Sequence, residues 1–156
     1  MKAGLKIISG GQTGVDRAAL EWALVNDVPH GGWCPKGRKA EDGVIPPQFR
    51  LKEASSENYS VRTRRNVYDS RGTVIFSRNS EVSGGSRETA EFAKEMGKPL
   101  LHLVASMPID DAASQLKAFL REHEIVVLNV AGPRQSEEPE VGQFVHAVLS
   151  RALKQR

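Results

Sequence analysis

Short apolar runs that end in small-residue turns and continue into amphipathic segments recur along this chain. Three such units follow one another, with apolar runs at residues 5–9, 73–77 and 125–130 and small-residue turns at 9–14, 83–86 and 129–134. Apolar residues after each turn recur at a spacing of three and four, which is typical of helices. Strands that alternate with helices indicate βαβ units and a parallel sheet. We therefore predict an α/β fold with a mostly parallel central sheet and helices on both faces.

The remaining segments fit the same alternation, with one exception. We predict further strands at 28–33 and 99–104, and helices at 61–70, at 87–96, after Pro108 and from about Val141 onward. Residues 34–60 show little periodicity and many Pro, Gly and charged residues. Because so long a loop is unusual in a compact domain, this segment is either functional or poorly ordered.

Composition favours one globular domain over residues 1–156. Hydrophobic residues make up 39% of the 156 residues and charged residues 26%, which excludes a disordered chain. No apolar run approaches the roughly 20 residues that a membrane span needs, and no signal peptide is evident, so we expect a cytoplasmic protein that binds no membrane. The single cysteine, Cys34, excludes an internal disulfide and is expected to be a reduced, partly buried thiol.

The net charge of +3 is compatible with nucleic acid or with a small anion. We favour the small anion and expect no nucleic-acid partner, because aromatic residues are only 6% and the basic residues are locally clustered.

The turns after the three strands predict a binding site. Parallel strands end at one edge of the sheet, and ligands of such folds bind outside that edge. Small residues let backbone N–H groups approach a phosphate, and the following helix adds the positive end of its dipole. In the first helix, Thr13 and Asp16 resemble a capping box, and capping and ligand contact are both open roles for Asp16.

Charged side chains near these turns have two interpretations each. Arginine and lysine side chains could clamp a phosphate, or they could be solvated. Glu88 and Glu91 could act as a general acid or base, or they could only complement the helix dipole. The four histidines show no metal-ligand spacing, so we predict no protein-bound metal.

Five strings together resemble one known family, and the similarity spans nearly the whole chain. They are SGGQTGVDRAAL, GGWCPKGRKAEDGVIP, TRRNVYDSRGTVIF, SGGSRETAEFAK and LNVAGPR. They are similar to proteins described as molybdenum cofactor carriers, in the circularly permuted YpsA-like branch of the SLOG superfamily, which is related to the LOG or lysine decarboxylase-like proteins.

The resemblance implies a Rossmann-like three-layer fold that binds a phosphorylated pterin or a nucleotide-like ligand, with the molybdenum cofactor (molybdopterin) as the carried ligand. It also implies a set of binding residues. These are Gly10, Gly11, Gln12, Thr13, Gly14, Lys36, Arg38, Arg62, Arg65, Gly84, Gly85, Ser86 and Thr89. A homo-oligomer, and molybdoenzymes that receive the ligand, are further expectations.

Two other functions stay open beside the carrier. LOG-type phosphoribohydrolases carry PGGxGTxxE, and here Arg87 and Glu88 replace the third glycine and the threonine, while Glu91 is kept. A carrier without turnover needs no catalytic residue. A hydrolase that cleaves nucleoside monophosphates between base and sugar would use Glu91. The third function is that of a nucleotide-sensing module.

Overall fold

A five-stranded parallel sheet forms the centre of the computed structural model, which describes residues 4–153. Its strands, in chain order, are β1 (Lys6–Ile8), β2 (His30–Gly31), β7 (Gly72–Ser77), β8 (Leu100–Val104) and β9 (Val127–Ala131). Side by side they run in the order β2-β1-β9-β7-β8, and every pair is parallel. The predicted parallel sheet is confirmed.

Helices cover both faces of this sheet. They are α1 (Val15–Val25), α2 (Tyr59–Asp69), α3 (Gly84–Glu95), α4 (Ile109–Glu122) and α5 (Val141–Leu153). Helix α5 contacts both α1 and α4, whereas α2 and α3 pack against each other. All six residues of β7 are buried, because α5 and α3 both pack against this strand. The three-layer arrangement explains why the central strands are apolar on both sides.

The segment over residues 34–60, which has no periodicity in the sequence, is ordered by short strands and a small core. Strand β3 (Trp33–Cys34) pairs with β6 (Lys52–Glu53), and β4 (Lys39–Ala40) forms a hairpin with β5 (Gly43–Val44). Five buried residues form the core under them, namely Leu20, Cys34, Ala40, Ile45 and Phe49. Two-residue strands are too short to leave an alternating pattern. Cys34 is a free thiol, as predicted, and its burial raises its pKa.

Helix α3 begins three residues earlier than predicted. Its first residues are Gly84 and Gly85, and Ser83 is its N-cap residue. The second small-residue turn is therefore partly the first turn of a helix. Glycine has a poor helix propensity, which is why the sequence places both residues in the turn.

The strand order is that of a dinucleotide-binding fold whose chain starts at a different strand. When the strands are numbered from β9 and the chain is then continued from β1, their order becomes 3-2-1-4-5. Folds with this order bind ligands where the direction of the connections reverses, beside the carboxyl end of the first strand. Here that point lies between β9 and β7.

Candidate functional site

A cleft opens at this point, at the carboxyl edge of the sheet. The turns after β1 and β9 form one side, and α2 and α3 form the other. Its volume of about 70 Å³ would hold about two water molecules, at about 30 Å³ each. A phosphate group, with five heavy atoms, is of comparable size.

Arg62 reaches into the cleft from α2. Its side chain is only 12% exposed, and its Nη2 lies 3.9 Å from Oδ2 of Asp16. A Cβ on Gly10 would lie 2.5 Å from Nε of Arg62. The absence of a side chain at Gly10 therefore makes room for the guanidinium, which links two of the predicted binding residues.

Asp16 is buried beside this arginine. Burial raises the pKa of its carboxyl group, and the positive charge of Arg62 opposes the rise. Its Oδ2 accepts a hydrogen bond from the backbone N–H of Gln12, at 3.3 Å. The predicted capping box is wrong, because Gly14 is the N-cap residue of α1 and no side chain caps the helix.

Two side chains that line the cleft each carry a buried donor without a partner. Within residues 4–153, Nε2 of Gln12 and Nε of Arg62 are the buried side-chain nitrogen or oxygen atoms without a hydrogen bond. The Oε1 atom of Gln12 is fully used, since it accepts from the backbone N–H groups of Thr13 and Glu41. An unsatisfied buried donor costs about 1–3 kcal/mol, so both atoms favour a ligand that supplies acceptors.

Tyr59, the first residue of α2, lines this cleft. Three positively charged side chains lie close to its ring. Its ring centre lies 5.2 Å from Nζ of Lys39 and 5.3 Å from Cζ of both Arg62 and Arg134. Sequence reasoning missed Tyr59 and Lys39, because Tyr59 follows an aperiodic segment and its neighbours come from three separate parts of the chain.

The two acidic candidates on α3, Glu88 and Glu91, lie in different environments. Glu88 lines the cleft, and its Oε2 accepts a hydrogen bond from the hydroxyl of Ser60 at 2.6 Å. The Glu91 side chain is 66% exposed, lies outside the cleft lining, and faces Arg87 at 3.6 Å. A general acid or base in this cleft would therefore be Glu88 rather than Glu91.

The structure brings many of the predicted binding residues together. Those that line the cleft are Gln12, Arg62, Gly85, Ser86 and Thr89. Gly14 is not part of this lining, but a Cβ there would lie 2.4 Å from the carbonyl oxygen of Pro133, which does line the cleft. The side chain of Thr13 turns away from the cleft and bonds to Glu41.

Other predicted residues lie elsewhere. Arg38 donates hydrogen bonds to the carbonyl groups of Ile45, Pro46 and Phe49, so it holds the loop after β5. Arg65 stacks on Trp33, with its Cζ 3.9 Å from the ring centre.

Three more predicted residues are not part of the cleft lining, namely Lys36, Gly11 and Gly84. Lys36 is exposed. A Cβ on Gly11 would meet Ile45 and Leu51, so this glycine packs under the loop.

A larger groove of about 600 Å³ lies between α1 and α5. Neither of the two unpartnered buried donors belongs to its lining. Since specific binding is expected where buried polar groups await a partner, the smaller cleft is the better candidate. No group of three His, Cys, Asp or Glu residues suited to a metal ion occurs within residues 4–153, and no described helix is long and apolar enough to cross a membrane.

Comparison with known proteins places this geometry in a family. The model of the circularly permutated YpsA SLOG family matches residues 7–153. The chain belongs to this family. Its permuted strand order agrees with the family description, and the resemblance inferred from the five strings is confirmed.

One solved structure is closely similar to the structure of this chain. It is the crystal structure of a protein named "putative molybdenum carrier protein" from Syntrophus aciditrophicus SB. The two chains are 45% identical, the match covers 98% of each, and the TM-score is 0.94. None of the curated proteins matches the chain.

Proposed function

We propose that the cleft binds the phosphate group of a small molecule, and that this molecule is the molybdenum cofactor, a phosphorylated pterin. The observation that carries the proposal is the pair of unpartnered donors on Gln12 and Arg62, two side chains that line a cleft of phosphate size. The name of the similar protein from Syntrophus aciditrophicus favours a molybdenum-containing cargo.

The size of the cleft divides the ligand into two parts. A volume of about 70 Å³ accepts the phosphate but excludes a fused ring system. The pterin therefore lies outside the cleft, towards Tyr59 and the cations around its ring. The metal arrives on the sulfur atoms of the cofactor, so the protein needs no ligands of its own for it.

Arg62 and Arg65 provide the test of the phosphate site. Replacing Arg62 by Gln removes the one cation of α2 that lines the cleft. A hydrogen bond to a charged group contributes about 1.5–3 kcal/mol, so affinity for inorganic phosphate is expected to fall by about ten- to a hundred-fold. Titration calorimetry at constant ionic strength measures this change.

Arg65→Gln is the matched control, because Arg65 lies on the same helix but stacks on Trp33. It removes the same charge and should change the affinity less than about two-fold. If both variants lose affinity equally, only the overall charge matters, and the cleft is not the phosphate site.

A hydrolase remains the alternative, and the position of Glu88 in the cleft favours it over a sensor. Such an enzyme would release free base from AMP, and the release would stop in Glu88→Gln. A carrier releases no base in either protein.

A further inference from the structure

The hairpin formed by β4 and β5 places one carboxylate between the turns that follow β1 and β9. Glu41, at its tip, accepts a hydrogen bond from the hydroxyl of Thr13. The Ser136 hydroxyl donates to Oε1 of Glu41 at 2.6 Å, and the Ser136 N–H donates to Oε2 at 3.2 Å. The guanidinium of Arg134 lies 3.9 Å from Oε1. A single carboxylate thus joins the turns after β1 and β9.

The groups around this carboxylate resemble a phosphate site. Two hydroxyl groups, one backbone N–H and one guanidinium come from the two turns, and all four are donors. Donors of this kind make charge-assisted hydrogen bonds to carboxylate and phosphate alike. The bonds from Ser136 and Thr13 lower the pKa of Glu41, so it is an anion at neutral pH.

We propose that Thr13, Arg134 and Ser136 form a second anion-binding site, which Glu41 fills and which a phosphate-type oxyanion takes by displacing the hairpin. The inference deepens the proposed function, since it assumes an anionic ligand at the neighbouring cleft. Arg134 connects the two sites, because it also lines the cleft and lies beside Tyr59.

The hairpin is suited to such a displacement. Its strands are two residues each, and Val44 is 71% exposed. Ion pairs that are partly exposed to solvent contribute only about 0–1 kcal/mol. A phosphate dianion carries more charge than the carboxylate and can use the same donors. Ala40 and Ile45 stay buried in the core beneath, which keeps the hairpin anchored.

The test uses Arg62→Gln as the background, because under the proposed function this change weakens phosphate binding at the cleft by about ten- to a hundred-fold. Inorganic phosphate is titrated into the Arg62→Gln protein and into the double variant with Glu41→Ala. We expect the double variant to bind at least ten-fold more tightly, and a further Ser136→Ala change to remove the gain. Glu41→Gln, which keeps the shape and loses the charge, should give a smaller gain and serves if Glu41→Ala folds poorly.

Asp42→Asn is the matched control. Asp42 neighbours Glu41 on the same hairpin but pairs with Arg17, at 2.9 Å. Replacing Asp42 loosens the hairpin but leaves Glu41 in the second anion-binding site. We therefore expect no gain in phosphate affinity. Equal or weaker phosphate binding after both Glu41 changes, or a gain that survives Ser136→Ala, would overturn the inference. The proposed function is judged separately, from wild type against Arg62→Gln with Glu41 intact.

Discussion

Asp16 and Arg62 are two opposite charges with little solvent around them, and their burial sets the electrostatics of the cleft. The Asp16 carboxyl is more strongly affected by loss of water than by the neighbouring guanidinium, so its pKa is raised. Nη2 of Arg62 lies 3.9 Å from this carboxyl group, longer than a hydrogen bond, so Asp16 offsets the guanidinium charge only in part. The lining also contains Glu88 and Glu137, so attraction of a phosphate to the cleft depends on Arg62 together with Arg134.

Asp16→Asn tests this account through the pH dependence of stability. A raised pKa in the folded state means that Asp16 supports folding below its unfolded pKa, near 3.8, and that this support is lost as the pH rises through the folded value. The free energy of unfolding of Asp16→Asn, relative to wild type, should therefore increase between pH 4 and pH 7. Urea denaturation at several pH values measures it.

Asp42→Asn should show the opposite slope, but only below the unfolded pKa of 3.8, and little change between pH 4 and pH 7. The hydrogen bond from Arg17 lowers the pKa of Asp42, so its support is present at neutral pH and is lost on acidification. An Asp16→Asn profile as flat as that of Asp42→Asn between pH 4 and pH 7 would show that burial does not raise the pKa of Asp16.

At the scale of the elements, the position of α2 decides whether Arg62 reaches the cleft. Asn66, one turn after Arg62, fixes this helix to β3. Its side chain accepts from the backbone N–H of Trp33 at 2.8 Å and donates to the carbonyl of Trp33 at 2.9 Å. The buried side-chain amide of Asn66 thus provides hydrogen-bond partners for both the backbone N–H and the carbonyl group of Trp33 in β3.

Asn66→Ala leaves both of these backbone groups without their partner. Unsatisfied groups cost about 1–3 kcal/mol each when buried, and Trp33 is only half-buried, so we expect a loss of about 2 kcal/mol in the free energy of unfolding. Chemical denaturation measures this. Arg64→Ala, on the exposed side of the same helix, should cost less than about 0.5 kcal/mol. Similar losses in both variants would mean that Asn66 has no special role.

The elements also show what the sequence could and could not predict. Apolar runs and the turns after them predict the central strands and the edge where Gln12 and Gly85 meet, whereas Arg62 is assigned to the site through the family resemblance. Contacts between distant segments leave no local pattern. The Tyr59 ring and its cations, and the bond from Glu41 to Ser136, depend on folding of the aperiodic 34–60 segment, so the sequence did not indicate them.

For the whole molecule, the order of the strands in the sheet decides which turns form the cleft, whatever their position along the sequence. Because β9 comes last in the chain and lies at the centre of the sheet, the turns that form the cleft are 9–14 and 131–134, from opposite ends of the sequence. The hydroxyl of Ser9 donates to the carbonyl of Val130 at 2.7 Å and joins the two strands directly beneath the cleft. The binding site therefore depends on the completed sheet.

The most direct measurement is mass spectrometry of the ligand that co-purifies with the protein under anaerobic conditions. Wild type and Arg65→Gln should release a phosphorylated pterin together with molybdenum, and Arg62→Gln should release at least ten-fold less. A wild-type protein whose ligand lacks a phosphate, or an Arg62→Gln protein as fully loaded as wild type, would contradict the account.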